Sequence, residues 1–254
     1  MDLDKKIKLG SQTAKNGFRN EEDIIIKFNN WKRDSDAQNW LTIMKYNLDE
    51  IEEVKAVKIK GTYKTDVQVQ VSIKLKKVID CENLSIKLVS NSSGFNQIDK
   101  RWIDKYVELW NIPDEITKLL KLFTGELNSD KKDLRDKRRM FLDEMSNEEQ
   151  NLILSFFKEN KILIISDILK GREKFTANWM LVILKKDSNS YDWALKDINS
   201  VMNIYGKGEV EITNRGSLRI GSITMQRKGG DGGRDSAKML QFKINPCLIF
   251  DKNE

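Results

Sequence analysis

Between Thr65 and Lys87 the chain sets one carboxylate and one ammonium on two segments that read as neighbouring strands. Val67, Val69, Val71, Ile73 and Leu75 alternate with polar residues, which leaves Asp66, Gln68, Gln70 and Ser72 on the opposite face. After a turn expected at Val78 to Asn83, Leu84, Ile86 and Leu88 point one way and Ser85 and Lys87 the other. Paired as a hairpin over one core, the two strands put Asp66 and Lys87 on a shared open face. An aspartate there can hold a divalent cation, and an amine can stand beside the water that attacks a phosphodiester. Any half-exposed antiparallel strand shows the same alternation, so spacing alone leaves a solvated face as the competing reading.

A third acid is placed by a different period. Thr13 to about Trp31 has helical spacing, with Phe18, Ile24, Ile25, Phe28 and Trp31 on one side. Glu21 falls inside that apolar stripe, whereas Glu22 and Asp23 look outward. Burying an unpaired carboxylate is costly, so Glu21 needs a cation, a basic partner or hydrogen-bond donors. A buried salt bridge meets that need, and so does a position facing Asp66 and Lys87.

The chain contains no histidine, which removes Ser-His-Asp and Cys-His nucleophiles and His-ligated zinc at once. A hydrolase built from these residues must work with carboxylates, lysines and a hard cation, of which Mg²⁺ is the natural one. The net charge is +6, concentrated in Lys131 to Arg139 and in Gln226 to Lys243, which points to a polyanionic partner. The first of these clusters also reads as a solvated helix face. With 254 residues, 39% of them hydrophobic, and only two prolines, the expectation is a single domain over 1–254. Two cysteines are too few for a disulfide framework, no apolar run is long enough to span a bilayer, and the N-terminus has no secretory layout. The expected setting is the cytoplasm, with no membrane partner.

The remaining periodicity predicts helices at Ala37 to Tyr46, Asp99 to Trp110, Asp114 to Phe123, Asn147 to Asn160 and Asp192 to Ile204. It predicts strands at Val54 to Lys60, Asp66 to Lys76, Leu84 to Ser90, Trp179 to Lys185, Val210 to Thr213, Ser217 to Gln226 and Met239 to Ile244. A mixed α/β fold follows, its central sheet flanked by helices. Gln226 to Arg234 is rich in glycine and cations. It lacks the order of either nucleotide-cradling glycine motif. Its glycines instead let backbone approach a surface, and Gln226, Arg227, Lys228 and Arg234 are side chains suited to base edges and phosphates. On the strand that follows, Gln241 and Lys243 are expected to face the same side as this loop. A mobile, solvated hairpin is the plain alternative.

Several stretches resemble one family: Leu9-Gly-Ser-x-Thr-Ala-Lys-x-Gly-Phe18, Asn47-Leu-Asp-Glu-Ile51, Lys87-Leu-Val-Ser-Asn91, Gly94-Phe-Asn-Gln-Ile-Asp-Lys100, Asp136-Lys-Arg-Arg-Met-Phe141, Glu148-Glu-Gln-Asn151, Gln226-Arg-Lys-Gly-Gly-Asp231 and Met239-Leu-Gln-Phe-Lys243. The chain is similar over nearly its whole length to the HinP-type Type IIP restriction endonucleases, relatives of MspI in the PD-(D/E)xK nuclease group. The resemblance implies a restriction-endonuclease-like fold with a C-terminal antiparallel DNA-reading hairpin. It also implies Mg²⁺-dependent cutting of double-stranded DNA at GCGC to leave 5′ CG overhangs, beside a companion DNA methyltransferase, as a monomer or homodimer.

By position, the family signature falls on Thr65-Asp66 and Ser85-Ile-Lys87, with Glu21 matching its helical glutamate. Asp66 would then ligate the metal, the Ile86 carbonyl could complete its shell, and Lys87 would position or activate the attacking water. The Gly94 to Lys100 turn is similar to one pressed into the duplex, which makes Phe95 and Gln97 candidate wedges and Lys100 a DNA contact; plain core packing is the other reading of Phe95. Ser85 stands where the family has Gln, so a DNA-binding protein that has lost catalysis is the alternative.

Overall fold

The computed structural model describes residues 20–61, 63–73, 79–187, 190–230 and 234–250. Phe18 and the start of the first expected helix, Leu75 and Lys76 of the first expected strand, and Asp231 of the glycine-rich loop lie outside these residues. The chain forms two compact units: residues 1–94, 169–201 and 246–254 make the first, and residues 95–168 and 202–245 the second.

The first unit is built on a five-stranded sheet of β1 (Ile51–Lys58), β2 (Val67–Ile73), β3 (Ile79–Val89), β5 (Trp179–Lys185) and β6 (Tyr191–Asp197), in the order β1-β2-β3-β5-β6. Every pairing is antiparallel except β3 with β5, so the sheet is mixed. Strand β2 alternates as its sequence requires, with Val67, Val69 and Val71 buried and the polar residues between them half-buried. Those valines pack with Leu84 and Ile86 against α1 (20–29) and α2 (Ser35–Ile43), through Ile24, Phe28, Trp40 and Leu41. Asp34 caps α2 by accepting the Ala37 N–H at 2.9 Å.

Two expectations fail here for local reasons. The turn placed at Val78 to Asn83 is strand from Ile79 onward, because its polar residues find partners across the sheet. Glu82 accepts from Tyr46 and from the Trp179 indole, and Asn178 holds the Asn83 N–H. The helix expected from Asp192 begins only at Ile198 as α7 (Ile198–Gly206), and the residues before it form β6. Asp197 sets that boundary by accepting the Ser200 N–H at 3.0 Å.

The second unit carries an antiparallel five-stranded sheet in the order β4-β10-β9-β8-β7. Its strands are β4 (Asn96–Arg101), β7 (Val210–Ile212), β8 (Leu218–Ile220), β9 (Ile223–Arg227) and β10 (Leu240–Ile244). The expected single strand from Ser217 to Gln226 is broken at Gly221, whose φ is +56° and where a Cβ would lie 2.5 Å from the Tyr205 carbonyl. The unit also holds α3 (Ile103–Trp110), α4 (Asp114–Thr124), α5 (Asn147–Glu159) and most of α6 (Lys161–Leu169). Ser146 and Glu149 form a capping box at the start of α5.

The helix predicted from Asp99 is strand until Arg101. There Asp99 accepts the Tyr106 hydroxyl at 2.6 Å, and Arg101 reaches Asp167 at 3.0 Å. Helix α6 was not predicted, because Lys-Ile-Leu-Ile-Ile-Ser-Asp-Ile-Leu is too uniformly apolar to show a period. The basic run Lys131 to Arg139 is irregular chain, not a helix face.

Candidate active site and nucleic-acid interface

Asp66 sits on the bend that leads into β2. Its N–H donates to the Leu84 carbonyl at 2.8 Å and its own carbonyl accepts from Ile59 at 3.0 Å, which ties it to the strands on both sides. The residue before it is anchored as well: the buried Thr65 hydroxyl donates to the Phe175 carbonyl at 2.6 Å. With the backbone fixed, the Asp66 side chain turns to β3, where Oδ2 accepts the Ile86 N–H at 2.6 Å and lies 3.7 Å from Lys87 Nζ. The hairpin thus brings Asp66 and Lys87 together, through pairing of Val67 with Leu84. Asp66 Oδ1 takes no hydrogen bond among the described residues, and the side chain is 26% exposed.

One further donor follows from strand geometry. In an extended strand the N–H and C=O of a residue point to the same edge. Because the Ile86 N–H meets Asp66, the Ile86 carbonyl opens on that edge too. A carboxylate oxygen and a backbone carbonyl are hard donors, of the kind that Mg²⁺ takes together with several waters. Among the described residues, no group of three or more acidic, Cys or His side chains gathers to hold a metal, so such an ion would rest on few protein ligands.

Glu21 takes the salt-bridge alternative, and Ser85 is buried. Glu21 Oε2 pairs with Lys58 Nζ at 2.6 Å, the basic partner that its half-buried position calls for. Lys58 stands opposite Val67 on β1, so Glu21 is held beside the strand that carries Asp66, with its charge already answered. Ser85 is 2% exposed and registers with the buried Met180 of β5. Its side chain is packed into the sheet, not on the open face expected for it.

The expected reading residues gather in the second unit. Gln226 on β9 registers with Gln241 on β10, and Gln241 with Lys100 on β4, while Lys243 registers with Gln97 and with Thr224. Phe95 precedes β4 and is 55% exposed, which rules out core packing. The segment from Asn96 that was expected as a turn is the edge strand β4, with Gln97 and Lys100 exposed. Gln241 differs from expectation. It is 3% exposed, and its amide donates to the carbonyls of Arg227 and Lys228 at 3.4 and 3.3 Å, so it shapes the base of the glycine-rich loop. Gly229 and Gly230 follow with φ of +62° and +65°, backbone that other residues adopt only under strain. Arg234 is exposed beyond them.

An open groove of about 600 Å³ joins Phe95, Thr224, Gln226 and Lys243 to Asn214 and Arg215. Asn214-Arg-Gly216 falls between the expected strands Val210 to Thr213 and Ser217 to Gln226, where it reads as their connecting turn. Its signal was present all the same, since Asn and Arg at a β-turn tip are polar groups that a sheet edge delivers to a surface.

The family model for the R.HinP1I restriction endonuclease matches residues 44–250. Comparison with the curated proteins gave no match. Among solved structures, the fold matches that of the restriction endonuclease MspI, described in complex with its cognate DNA. The TM-score is 0.63 at 15% identity, over 88% of this chain and 87% of that one.

Proposed function

The chain belongs to the R.HinP1I restriction endonuclease family, and from that premise we propose that it cuts double-stranded DNA at GCGC, leaving 5′ CG overhangs, with Mg²⁺ as cofactor. The observation that carries the catalytic part is Asp66, with Oδ2 fixed by the Ile86 N–H and 3.7 Å from the Lys87 ammonium, and Oδ1 taking no hydrogen bond among the described residues. When bound at Asp66 and the Ile86 carbonyl, Mg²⁺ supplies positive charge against the scissile phosphate and acidifies water.

The chain's own residues do the rest. The Ile86 N–H orients the Asp66 carboxylate. Lys87 holds the attacking water and steadies the charge that grows on the phosphate. Glu21 acts through Lys58, which it keeps in place beside β2. Phe95 and Gln97 enter the duplex, while Gln226, Arg227, Lys228, Arg234, Lys100 and Lys243 contact bases and phosphates. Gln241 supports the loop from below.

The chain passes between its two units four times, at 94/95, 168/169, 201/202 and 245/246, and we read them as parts of one domain. Among the described residues no helix is long and apolar enough to cross a membrane, and a cytoplasmic setting beside a protective methyltransferase fits an enzyme acting on DNA.

Digestion of unmethylated plasmid with Mg²⁺ or EDTA, followed by sequencing of the ends, tests the reading. Cuts within GCGC that require the metal are expected. Cuts at another sequence overturn the specificity. Specific binding without cutting at any metal concentration leaves the catalytically silent DNA binder, which the buried, uncharged Ser85 favours.

A further inference from the structure

The contacts proposed above use β4, β10 and β9, and the same face of the sheet continues over β8 and β7. Gln97, Lys243, Thr224, Arg219 and Glu211 register in one row across these strands. Residues next to them in sequence, Ile98, Phe242, Met225, Leu218 and Val210, are buried on the opposite face. The open groove that takes in Phe95, Gln226 and Lys243 is lined by Glu211 and Arg219 as well.

This end of the row differs in charge from the rest. Arg219 donates from Nη2 to Glu211 Oε1, and the two side chains are 52% and 46% exposed. The guanidinium keeps donors to spare, and Glu211 Oε2 takes no hydrogen bond among the described residues. As a neutral pair the two residues draw no phosphate, and the carboxylate opposes one. A G·C base pair answers both groups, because its major-groove edge carries the O6 and N7 acceptors of guanine beside the N4 amine of cytosine.

The hairpin that bears the pair is braced. Thr213 N–H donates to the Ser217 carbonyl at 2.8 Å, and Leu142 N–H to the Gly216 carbonyl at 3.0 Å. Gly216 has φ of +69°, and a Cβ there would lie 2.7 Å from Phe141 Cβ. The bracing segment is pinned in turn. Arg135 engages Asp143 and Glu144, and Arg138 grips Asp136 with Nε and Nη2 at 2.8 and 2.9 Å, a bidentate fork. A side chain that reads a base edge needs a root held this firmly.

We infer that Glu211 and Arg219 read one G·C pair of the target, Arg219 donating to guanine O6 and N7 and Glu211 accepting from the cytosine N4 amine. The assignment deepens the proposed reading of GCGC and rests on it.

Arg219→Met, Arg219→Lys and Glu211→Gln in the full-length chain test it. Preference for GCGC over duplexes with one G·C pair exchanged for A·T is measured by competition, in binding and in cutting. Both Arg219→Met and Glu211→Gln should lose about tenfold of that preference at one G·C position and keep it at the other, and Arg219→Lys should not restore it, since the planar fork is gone. In duplexes with 7-deazaguanine at each guanine in turn, wild type should bind several-fold more weakly at that position, with no further loss in Arg219→Met. Glu211→Gln leaves Arg219 uncompensated, so its slope of log affinity against log salt should steepen by about 1. Half-exposed as the pair is, the variants should melt close to wild type. Unchanged preference, a 7-deazaguanine penalty that persists in full in Arg219→Met, or an equal loss on target and unrelated DNA overturns the pair while leaving the nuclease standing. A wild type with no preference for GCGC in either binding or cutting overturns the proposed specificity, and the pair with it.

Discussion

Asp66 and Asp167 are both aspartates set among hydrogen-bond donors, one in each unit, and they are treated in opposite ways. Asp167 has a side chain only 2% exposed, and one of its oxygens takes both the Arg101 guanidinium at 3.0 Å and the Trp110 indole N–H at 2.9 Å. Asp99 joins the same network through Tyr106 and Arg101, whose guanidinium is raised above its usual range by these two acids against the cost of burial. Around Asp66 one oxygen is fixed, the other takes no hydrogen bond among the described residues, and the cation stands back at 3.7 Å. A closed network holds a fold together, whereas an acid with an oxygen to spare is free to take the role proposed for Asp66.

The contrast predicts which changes damage activity and which damage stability. Asp66→Asn should lower cleavage by roughly 10³-fold or more while melting within a few degrees of wild type, as a gel assay and a thermal scan will show. Arg101→Met should do the reverse, costing about 3–5 kcal/mol in denaturant unfolding because two buried carboxylates lose their cation. If Arg101→Met unfolds at the wild-type denaturant midpoint, the distinction between the two aspartates is wrong. Lys87→Ala sharpens it: cleavage should fall about 10²-fold with duplex affinity in EDTA little changed.

The smallest effect lies in acid. The Arg138 fork holds the Asp136 carboxyl down to about 2, below its ordinary 3.8. A depressed acid stabilises the fold fully above its unfolded value and loses that contribution as the pH falls toward the folded one. Stability should therefore drop between about pH 4 and pH 2 in wild type, and Asp136→Asn should flatten that part of the profile, as acid unfolding followed by circular dichroism will record.

What was legible in the chain follows period and pairing. The alternation of Val67, Val69 and Val71 predicted both the buried face of β2 and the meeting of Asp66 with Lys87, since each depends only on a strand's twofold repeat and on hairpin closure. Strand β5 matches its expected limits, Trp179 to Lys185. Features set by distant partners were not legible. Asp99 and Arg101 carry a helix-like pattern but lie in a strand, because there Asp99 accepts the Tyr106 hydroxyl and Arg101 donates to Asp167. Glu21 was read correctly as needing an answer, although nothing local named Lys58. Gln241 was placed on the correct strand, but its burial under Arg227 and Lys228 arises from a loop that doubles back over it.

The Thr65 hydroxyl and the Phe175 carbonyl are separated by 110 positions, and β3 lies parallel to β5, a pairing that needs the same long excursion. The proposed cutting centre is therefore assembled by the late part of the chain. A polypeptide still being synthesised and not yet past Phe175 lacks the latch behind Asp66 and the strand that flanks Lys87. If the proposed reading holds, a nascent chain short of Phe175 carries Asp66 and Lys87 without the supports that fix them, a delay that comes from connectivity alone.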